Sequence, residues 1–249
     1  MSRRVVIVTG GSRGIGAATC RLAAARGFAV CVNYHRSSAA ADGVVSAIRS
    51  AGGEAIAVAA DVAIEQDVVR LFATVDRSLG RIDCLVNNAG TLERQTRVEH
   101  MDAARIERVF AVNVTGAFLC AREAVRRMST KHGGRGGAIV NVSSAASRIG
   151  SPNEYVDYAA SKAAIDTLTI GLAKEVAAEG IRVSAVRPGV IDTEIHALGG
   201  EPDRAERVKA SIPLQRPGRA DEVAAAIVWL LGDDAGYVTG SMVDVAGGR

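Results

Sequence analysis

The sequence has few prolines and no long apolar run. Only 5 of its 249 residues are proline, whereas 48% are hydrophobic. This composition excludes a disordered or collagen-like chain, and the length suits one large domain with a full hydrophobic core. No apolar run approaches the roughly 20 residues that a membrane-spanning helix needs. The apolar stretch after Arg4 stops at Gly10 and is too short for a signal-peptide core. We therefore expect a cytoplasmic protein that binds no membrane.

Cysteine and histidine are also scarce. The four cysteines lie in apolar stretches without paired spacing, which is typical of reduced core residues rather than of disulfides or metal ligands. The four histidines are scattered without metal-ligand spacing, so we expect no catalytic metal. These residues are Cys20, Cys31, Cys84, Cys120, His35, His100, His132 and His196.

Acidic residues are missing from the first 41 positions, since Asp42 is the first of them. A segment without carboxylates favours a polyanionic ligand. Nucleic acid is a poor candidate, because the arginines are dispersed and no aromatic residues are interleaved with them. A phosphate-bearing small molecule fits better, although charge alone is equally compatible with solvated surface arginines. The six arginines are Arg3, Arg4, Arg13, Arg21, Arg26 and Arg36.

Short β-branched runs alternate with longer alanine-rich stretches of helical period. This alternation predicts an α/β fold with a parallel sheet, and strands that are apolar on both faces are covered by helices on each side. No linker or internal repeat divides the chain, so we expect one domain over residues 1–249. Strands are predicted at 4–9, 29–33, 55–59, 82–86, 138–142, 181–186 and 242–245. Helices are predicted near 14–26, 39–51, 65–79, 102–131, 153–178 and 219–231.

Residues 190–218 interrupt the alternation with a longer and more polar segment. A long insertion after the carboxyl end of a strand, beside the crevice of the sheet, is typical of a substrate-binding lid. A variable surface loop is the alternative. Glu194, His196 and Arg204 in this segment are a weak indication of a polar substrate, and no residue there identifies the ligand.

A glycine-rich turn follows the first predicted strand, with Gly10, Gly14 and Gly16 in the spacing Gly-x3-Gly-x-Gly. Glycines allow a sharp turn and a close approach of the backbone to a pyrophosphate, and the following helix N-terminus offers free N–H groups and a positive dipole. The position between strand and helix predicts a dinucleotide site, with a purely structural turn as the alternative.

The second predicted strand ends without the acidic residue that usually binds the ribose 2′-hydroxyl of NAD. It continues instead as Asn33, Tyr34, His35 and Arg36. A carboxylate there would repel a 2′-phosphate, whereas a guanidinium can hold it as a planar fork. Arg36, together with Arg13, therefore predicts NADP(H) rather than NAD(H).

Tyr158 and Lys162 stand four residues apart in a predicted helix, so their side chains share one helix face. A phenol with a pKa near ~10 is a poor acid–base catalyst at neutral pH, but a close ammonium stabilises its phenolate. Lys162 is therefore expected to lower the pKa of Tyr158, which would exchange a proton with a substrate oxygen while hydride moves at carbon. An ordinary surface contact would produce the same spacing.

Three further polar residues belong to the same end of the predicted sheet. Ser144 follows the fifth strand and Asn88 follows the fourth, while Asn113 lies between two valines in a predicted helix. A buried asparagine must satisfy both its donor and its acceptor, often through water or ligand. Each residue has an ordinary structural explanation, but together they favour a ligand-binding crevice.

In order and spacing, these motifs resemble those of the short-chain dehydrogenase/reductase family over essentially the whole chain. The matching segments are Thr9-Gly10-x3-Gly14-x-Gly16, Asn87-Asn88-Ala89-Gly90, Asn113, Ser144, Tyr158-x3-Lys162 and Pro188-Gly189. The resemblance implies a Rossmann-type, doubly wound, seven-stranded sheet in the order 3-2-1-4-5-6-7. It also implies a homo-tetramer that uses the helices near 102–131 and 153–178 and the strand 241–246.

The resemblance further implies a catalytic tetrad. Ser144 would bind the substrate oxygen, Tyr158 would be the acid–base, Lys162 would hold the nicotinamide ribose, and Asn113 would keep a proton-relay water. Asp61 and Val62 would contact adenine, and Ile191 and Thr193 the nicotinamide amide. The complete candidate cofactor set is Gly10, Ser12, Arg13, Gly14, Ile15, Gly16, Asn33, Tyr34, His35, Arg36, Asp61, Val62, Asn88, Ala89, Gly90, Tyr158, Lys162, Pro188, Gly189, Ile191 and Thr193.

One spacing departs from the family pattern, because Ser144 precedes Tyr158 by 14 residues, one more than is usual. The strand alignment favours Ser144 over Ser143, and Tyr155 is a rival phenol that lies seven residues from Lys162. The extra residue affects substrate geometry more than chemistry.

The expected function is NADP(H)-dependent interconversion of a carbonyl compound and a secondary alcohol. Among family members, the glycine turn and the length look most like those of 3-oxoacyl-carrier-protein reductases and sugar dehydrogenases. The alternative is a non-catalytic NADP(H)-binding redox sensor or scaffold on the same fold.

Overall fold

The computed structural model describes residues 3–249, except for the side chain of His196. Seven parallel strands form one sheet in the order β3-β2-β1-β4-β5-β6-β7, which is the order that the family resemblance implied. The strands are β1 Val5–Val8, β2 Ala29–Tyr34, β3 Glu54–Ala59, β4 Ile82–Asn87, β5 Gly137–Val142, β6 Ile181–Pro188 and β7 Met242–Val245. The helices are α1 Gly14–Ala25, α2 Ser38–Ser50, α3 Glu65–Ser78, α4 Ala103–Phe110, α5 Gly116–Met128, α6 Ala146–Ile149, α7 Val156–Val176, α8 Ile195–Leu198, α9 Arg204–Val208 and α10 Ala220–Leu231.

Strand β1 explains why the pattern of apolar runs predicts a sheet covered on both faces. All four of its residues are buried, and successive side chains point to opposite faces. Val6 packs into a core with residues of α1, α2 and α10. Ile7 belongs to the opposite core, with residues of α3, α5 and α7. The doubly wound architecture is therefore confirmed.

The chain changes direction across the sheet at β1. From β1 it proceeds to β2 on one side, whereas β4 pairs with β1 on the other side, with Val6 opposite both Val30 and Cys84. In open parallel sheets, ligands bind in the crevice outside the carboxyl ends of the strands at such a reversal. The glycine turn after β1 lies at this position.

The predicted helix over 102–131 is not a single regular α-helix. It begins at Ala103, where the Asp102 side chain caps it by accepting from the N–H of Arg105 at 2.7 Å. A π-helical segment, Ala111–Thr115, separates α4 from α5, and α5 ends at Met128. Such π segments occur frequently at functional sites. Here the segment contains the buried Asn113.

The predicted helix over 153–178 starts later than the sequence pattern suggested. Ser151 and Asn153 have φ angles of 43° and 64°, in the left-handed region, so a right-handed helix cannot include them. Helix α7 begins at Val156, and its first turn is tied to α4 by the buried ion pair of Asp157 with Arg105 at 2.7 Å. The segment before Tyr158 is thus a turn rather than helix.

The cysteines lie in the core, as their apolar surroundings in the sequence predicted. All four cysteines are free and buried, and burial raises the pKa of each thiol. Among the side chains that the structure describes, no group of His, Cys, Asp and Glu could hold a metal ion. Within residues 3–249, no helix is both long enough and apolar enough to cross a membrane.

Candidate active site

A cleft of about 1200 Å³ runs along the carboxyl ends of the central strands. It extends from the glycine turn after β1 to helices α8 and α9. Every residue of the candidate cofactor set lines this cleft, as does Ser144. Asn113 is the exception among the predicted site residues, because it lies behind the wall and is 1% exposed.

The glycine turn is shaped by close backbone contacts. Gly10 has a φ angle of +62°, which favours glycine. A Cβ on Gly16 would stand 2.3 Å from the carbonyl oxygen of Gly10, and a Cβ on Gly14 would stand 3.4 Å from Cγ2 of Thr193. Helix α1 begins at Gly14 with no acidic residue in its first turn and no side-chain cap from Arg13. The glycines thus leave an open space next to the free N–H groups at the start of α1. This cradle fits the pyrophosphate of a dinucleotide.

Asn88 and Thr9 join the turn to β4. The Asn88 amide donates to the carbonyl oxygens of Thr9 at 2.8 Å and Gly10 at 3.1 Å. The Thr9 hydroxyl accepts from the N–H groups of Asn88 and Ala89, both at 3.0 Å. These bonds hold β1 and β4 at a fixed spacing, so Asn88 acts on the cleft through the backbone of the turn.

The carboxyl end of β2 brings together the residues expected to bind the adenosine half. Asn33 is 1% exposed, and its amide donates to the carbonyl oxygens of Val58 and Ala60 while its Oδ1 accepts from the N–H of Gly10 at 3.2 Å. Asn33 therefore braces the turn against β3, with its hydrogen-bonding groups already used. Arg36 is exposed at the cleft and forms no ion pair with any described residue.

His35 and Asp61 face each other across the same corner of the cleft. Nε2 of His35 lies 3.6 Å from Oδ2 of Asp61, and Oδ1 of Asp61 accepts from the N–H of Ala63 at 3.0 Å. The backbone bond fixes the Asp61 carboxylate beside the cleft wall. The position is compatible with the adenine contact that the resemblance implied.

Tyr158, Lys162 and Ser144 converge at the centre of the cleft. Nζ of Lys162 lies 5.6 Å from the centre of the Tyr158 ring, so the two share one face of α7 as expected. Ser144 forms a side-chain hydrogen bond with Tyr158, and its Oγ also accepts from the N–H of Ala146 at 3.1 Å. The neighbouring Ser143 is buried and donates to the carbonyl oxygen of Lys162 at 3.1 Å. The geometry thus favours Ser144 over Ser143 as the residue that faces a substrate.

Lys162 and Asn113 meet at Gly90. A Cβ on Gly90 would stand 3.4 Å from Nζ of Lys162 and 3.5 Å from Oδ1 of Asn113. Lys162 donates to the carbonyl oxygen of Val142 at 2.8 Å. Asn113 binds the backbone of Thr91 in both directions, with its Oδ1 accepting at 2.8 Å and its amide donating at 2.9 Å. Asn113 therefore fixes the loop after β4 beside the Lys162 ammonium.

The pKa of Tyr158 differs from the expectation based on the Tyr–Lys spacing. Burial raises the pKa of Tyr158, the hydrogen bond from Ser144 acts against this rise, and the positive charge of Arg204 lowers the pKa further. Lys162 is not among the groups that shift the pKa of Tyr158, and burial lowers its own pKa to about 8. The expected depression of the Tyr158 pKa by Lys162 is therefore not found.

Comparisons with known proteins agree with this geometry. Residues 10–249 match the model of a family described as enoyl-(acyl carrier protein) reductase. The chain is 60% identical over 245 residues to the uncharacterized oxidoreductase YgfF of Escherichia coli, covering 98% of this chain and 99% of that protein. It is 42% identical to a 3-oxoacyl-[acyl-carrier-protein] reductase of Synechocystis sp., covering 100% of this chain and 97% of that protein. The solved structure of a short-chain dehydrogenase/reductase from Serratia marcescens is similar, with a TM-score of 0.90 at 34% identity over 99% of this chain and 98% of that one.

The chain belongs to the short-chain dehydrogenase/reductase family. It is accordingly an oxidoreductase that acts on alcohol or carbonyl groups. The family uses a nicotinamide cofactor, NAD or NADP. The cradle after β1 and the tyrosine-centred cluster line the same cleft.

Sequence reasoning overlooked residues that support the site from behind. Ser161 donates to the carbonyl oxygen of Tyr158 at 2.6 Å and accepts from the Asn113 amide at 3.0 Å. Its position three residues after Tyr158 places it on the same helix face, and this spacing could have indicated its role. Gln95 donates to the Tyr155 hydroxyl at 2.9 Å and to Glu201 at 2.7 Å. No sequence pattern near Gln95 predicts these contacts.

The buried ammonium of Lys162 predicts a pH-dependent stability. Its pKa falls from 10.5 to about 8 on folding, so between these values the unfolded chain binds a proton that the folded chain does not. The free energy of unfolding contributed by this group therefore rises with pH across that window. The free energy of unfolding of the wild type, minus that of Lys162→Met, should rise by about 3 kcal/mol at most across this pH window. Urea unfolding at pH 8, 9 and 10 measures this difference.

The comparison with the variant isolates Lys162 from the buried thiols, whose raised pKa values act in the opposite direction. Lys174→Met, an exposed position on the same helix, is the matched control and should follow the wild type at every pH. A difference between the wild type and Lys162→Met that does not change with pH would show that Lys162 loses no proton in this window.

Proposed function

We propose that this short-chain dehydrogenase/reductase interconverts a carbonyl compound and a secondary alcohol with NADP(H), and acts as a reductase in the cytoplasm. The observation that carries the proposal is the convergence of Ser144, Tyr158 and Lys162 in the cleft that begins at the glycine turn. This arrangement supports the proposal because it would offer a proton donor, a hydrogen-bonding hydroxyl and a cation to one reacting oxygen.

Each part of the cleft would have a separate role in cofactor binding or proton transfer. The turn from Gly10 to Gly16 would bind the pyrophosphate through the N–H groups of α1. When bound, the nicotinamide supplies the hydride in reduction or accepts it in oxidation. The Tyr158 hydroxyl would give its proton to the oxygen of the reduced carbonyl, and Ser144 would hold that oxygen through a hydrogen bond. Lys162 would contribute a positive charge and hold the nicotinamide ribose.

Asn113 would act from behind this group. Because it fixes Thr91 and contacts Ser161 next to Tyr158, it would maintain the spacing between the loop after β4 and α7. A proton-relay water held there is part of the same proposal. The remaining candidate residues, including Pro188, Gly189, Ile191 and Thr193, would line the nicotinamide half.

The segment 190–218 would form the substrate-binding lid of a single domain over residues 1–249. Its helices α8 and α9 contribute residues to the cleft wall. We also propose a homo-tetramer, which is supported by exposed apolar side chains on the helices expected at the interface. These are Ile106 on α4, Phe118 on α5 and Ile170 on α7.

Preference for NADP(H) depends on Arg36. Its guanidinium is exposed at the end of β2 without a carboxylate partner among the described residues, and is therefore available to a 2′-phosphate. Because a charge-assisted hydrogen bond contributes about 1.5–3 kcal/mol, Arg36→Ala should weaken NADPH binding by about 10- to 100-fold and leave NADH binding within a factor of three. Dissociation constants from nucleotide fluorescence, together with KM for both nucleotides, measure the effect.

Arg21→Ala is the matched control, because Arg21 is an exposed arginine of the same acid-free segment that does not line the cleft. It should leave both affinities unchanged. A wild-type preference for NADH, or equal NADPH affinity in the wild type and Arg36→Ala, would contradict NADP(H) specificity. Nucleotide binding without turnover of any carbonyl in a broad panel would favour the redox sensor or scaffold.

A further inference from the structure

The substrate half of the cleft, between Tyr158 and helices α8 and α9, has a largely apolar wall. Its apolar side chains come from three separate segments, and two of them, Ile149 and Leu198, are 43% and 53% exposed although they are large. Exposed apolar side chains at the mouth of a pocket are suited to cover an apolar ligand. The wall is formed by Leu92, Ile149, Pro152, Ile195 and Leu198.

The acidic side chains on this wall each have a guanidinium partner. Glu154 accepts from Arg204 at 2.5 Å, and Glu93 accepts from Arg108 at 2.7 Å. At the mouth, Glu194 lies 3.7 Å from Arg13. Arg204 had suggested a polar substrate in the sequence, but its charge is compensated in the fold.

Of these three ion pairs, Arg204–Glu154 is the most buried, so it has the largest effect on the electrostatic potential in the substrate half of the cleft. The Arg204 side chain is 11% exposed, and its guanidinium lies 5.6 Å above the Tyr155 ring. Arg207 pairs with Glu201 at 2.6 Å beside it, so two guanidinium groups face two carboxylates. An anionic substrate would therefore lose its hydration next to Glu154 without gaining an uncompensated cation from these two pairs.

We propose that the substrate is an uncharged carbonyl compound with an apolar body, and that Glu154 excludes anionic substrates by neutralising Arg204. This inference rests on the proposed carbonyl–alcohol activity at the same site. Arg249 also lines the cleft and is the rival anchor for an anion. Its backbone oxygen accepts from Arg148 at 3.1 Å, which places it next to α6 at the edge of the substrate half.

Two ketones that differ in charge test the inference. Methyl benzoylformate is neutral, whereas benzoylformate carries a carboxylate on the same ketone. With NADPH, we expect kcat/KM to be about 100-fold higher for the ester. In Glu154→Gln, Arg204 and Arg207 share Glu201 as their one carboxylate, so the group gains one net positive charge and the ratio of ester to acid should fall about tenfold. The double variant Glu154→Gln/Arg204→Gln restores neutrality and should restore the wild-type ratio, which separates charge from damage to the fold.

Glu175→Gln is the matched control, because this exposed glutamate lies outside the cleft and should leave the ratio unchanged. A wild-type kcat/KM for benzoylformate that equals or exceeds the value for the ester overturns the inference. If Arg249→Gln then loses the activity on benzoylformate, Arg249 is the group that binds the anion. A ratio unaffected by Glu154→Gln overturns the role of Glu154.

Binding separates this inference from the proposed activity. Calorimetric titration of both ketones into the protein saturated with NADP⁺ requires no turnover. Binding of the ester alone, without reduction, supports the neutral apolar site while contradicting the proposed activity. Binding of benzoylformate in preference to the ester, or of neither ketone, overturns the inference.

Discussion

Tyr158→Phe should lower kcat for carbonyl reduction by about 10²- to 10⁴-fold, the usual contribution of a positioned general acid. Phenylalanine preserves the ring on α7 but removes the hydroxyl that hydrogen-bonds with Ser144. Because the ring still fills its place, the affinity for NADPH should change by less than a factor of three. Steady-state kinetics with a neutral ketone, combined with a fluorescence titration of NADPH, measures both quantities.

Tyr155→Phe supplies a control with the same chemical change at a nearby phenol of the cleft. The Tyr155 hydroxyl accepts a hydrogen bond from Gln95, and its ring lies beneath Arg204, so the loss should affect substrate KM more than kcat. Retention of kcat near the wild-type value in Tyr158→Phe would contradict the proposed acid. Loss of kcat in Tyr155→Phe, with Tyr158→Phe active, would transfer the role to the rival phenol.

Strand positions could be predicted from the sequence because each central strand is apolar on both faces. Val5–Val8 and Ile82–Asn87 are bounded by polar or glycine-containing segments, and the predicted limits differ from the observed ones by one residue. Periodicity alone does not determine strand order. The order followed from the family resemblance, and the pairing of β1 with β4 was confirmed.

Helix interruptions were missed because their causes are not local. The π-helical segment Ala111–Thr115 contains no proline or glycine, and Gly116 follows it only at its end. Its Asn113 is held by Thr91 and by Ser161 of α7. Those bonds come from segments distant in sequence, so a window of sequence cannot register them. The late start of α7 depends on left-handed backbone at Asn153, which the sequence permits but does not require.

Site membership was easier to predict than the contacts within the site. The candidate residues share the cleft because parallel strands end at one edge of the sheet. Asn33, however, uses its amide to brace the glycine turn, and Arg204 is neutralised by Glu154. Such partnerships depend on burial and on distant segments. For the same reason, the spacing of Tyr158 and Lys162 predicted a shared face but not the low pKa of the lysine.

The glycine turn is the point at which one added methyl group should have the largest effect on nucleotide binding. A Cβ in Gly16→Ala would stand 2.3 Å from the carbonyl oxygen of Gly10 and 2.6 Å from Nδ2 of Asn88. The turn cannot shift freely, because the N–H of Gly10 donates to Asn33. We expect the free energy of unfolding to fall by about 1–3 kcal/mol. NADPH affinity should fall about 100-fold or more, since the displaced backbone is the one that would contact the pyrophosphate.

Gly43→Ala is the matched control for the same chemical change. Gly43 is exposed in α2, and a Cβ there would meet no atom within 4 Å. Alanine has the higher helix propensity, so the free energy of unfolding should rise by about 0.5–1 kcal/mol while NADPH binding stays constant. Chemical denaturation and NADPH titration of both variants make the comparison. Wild-type affinity for NADPH in a folded Gly16→Ala protein would contradict the assignment of the turn to the pyrophosphate, because the methyl group must displace the backbone at Gly10.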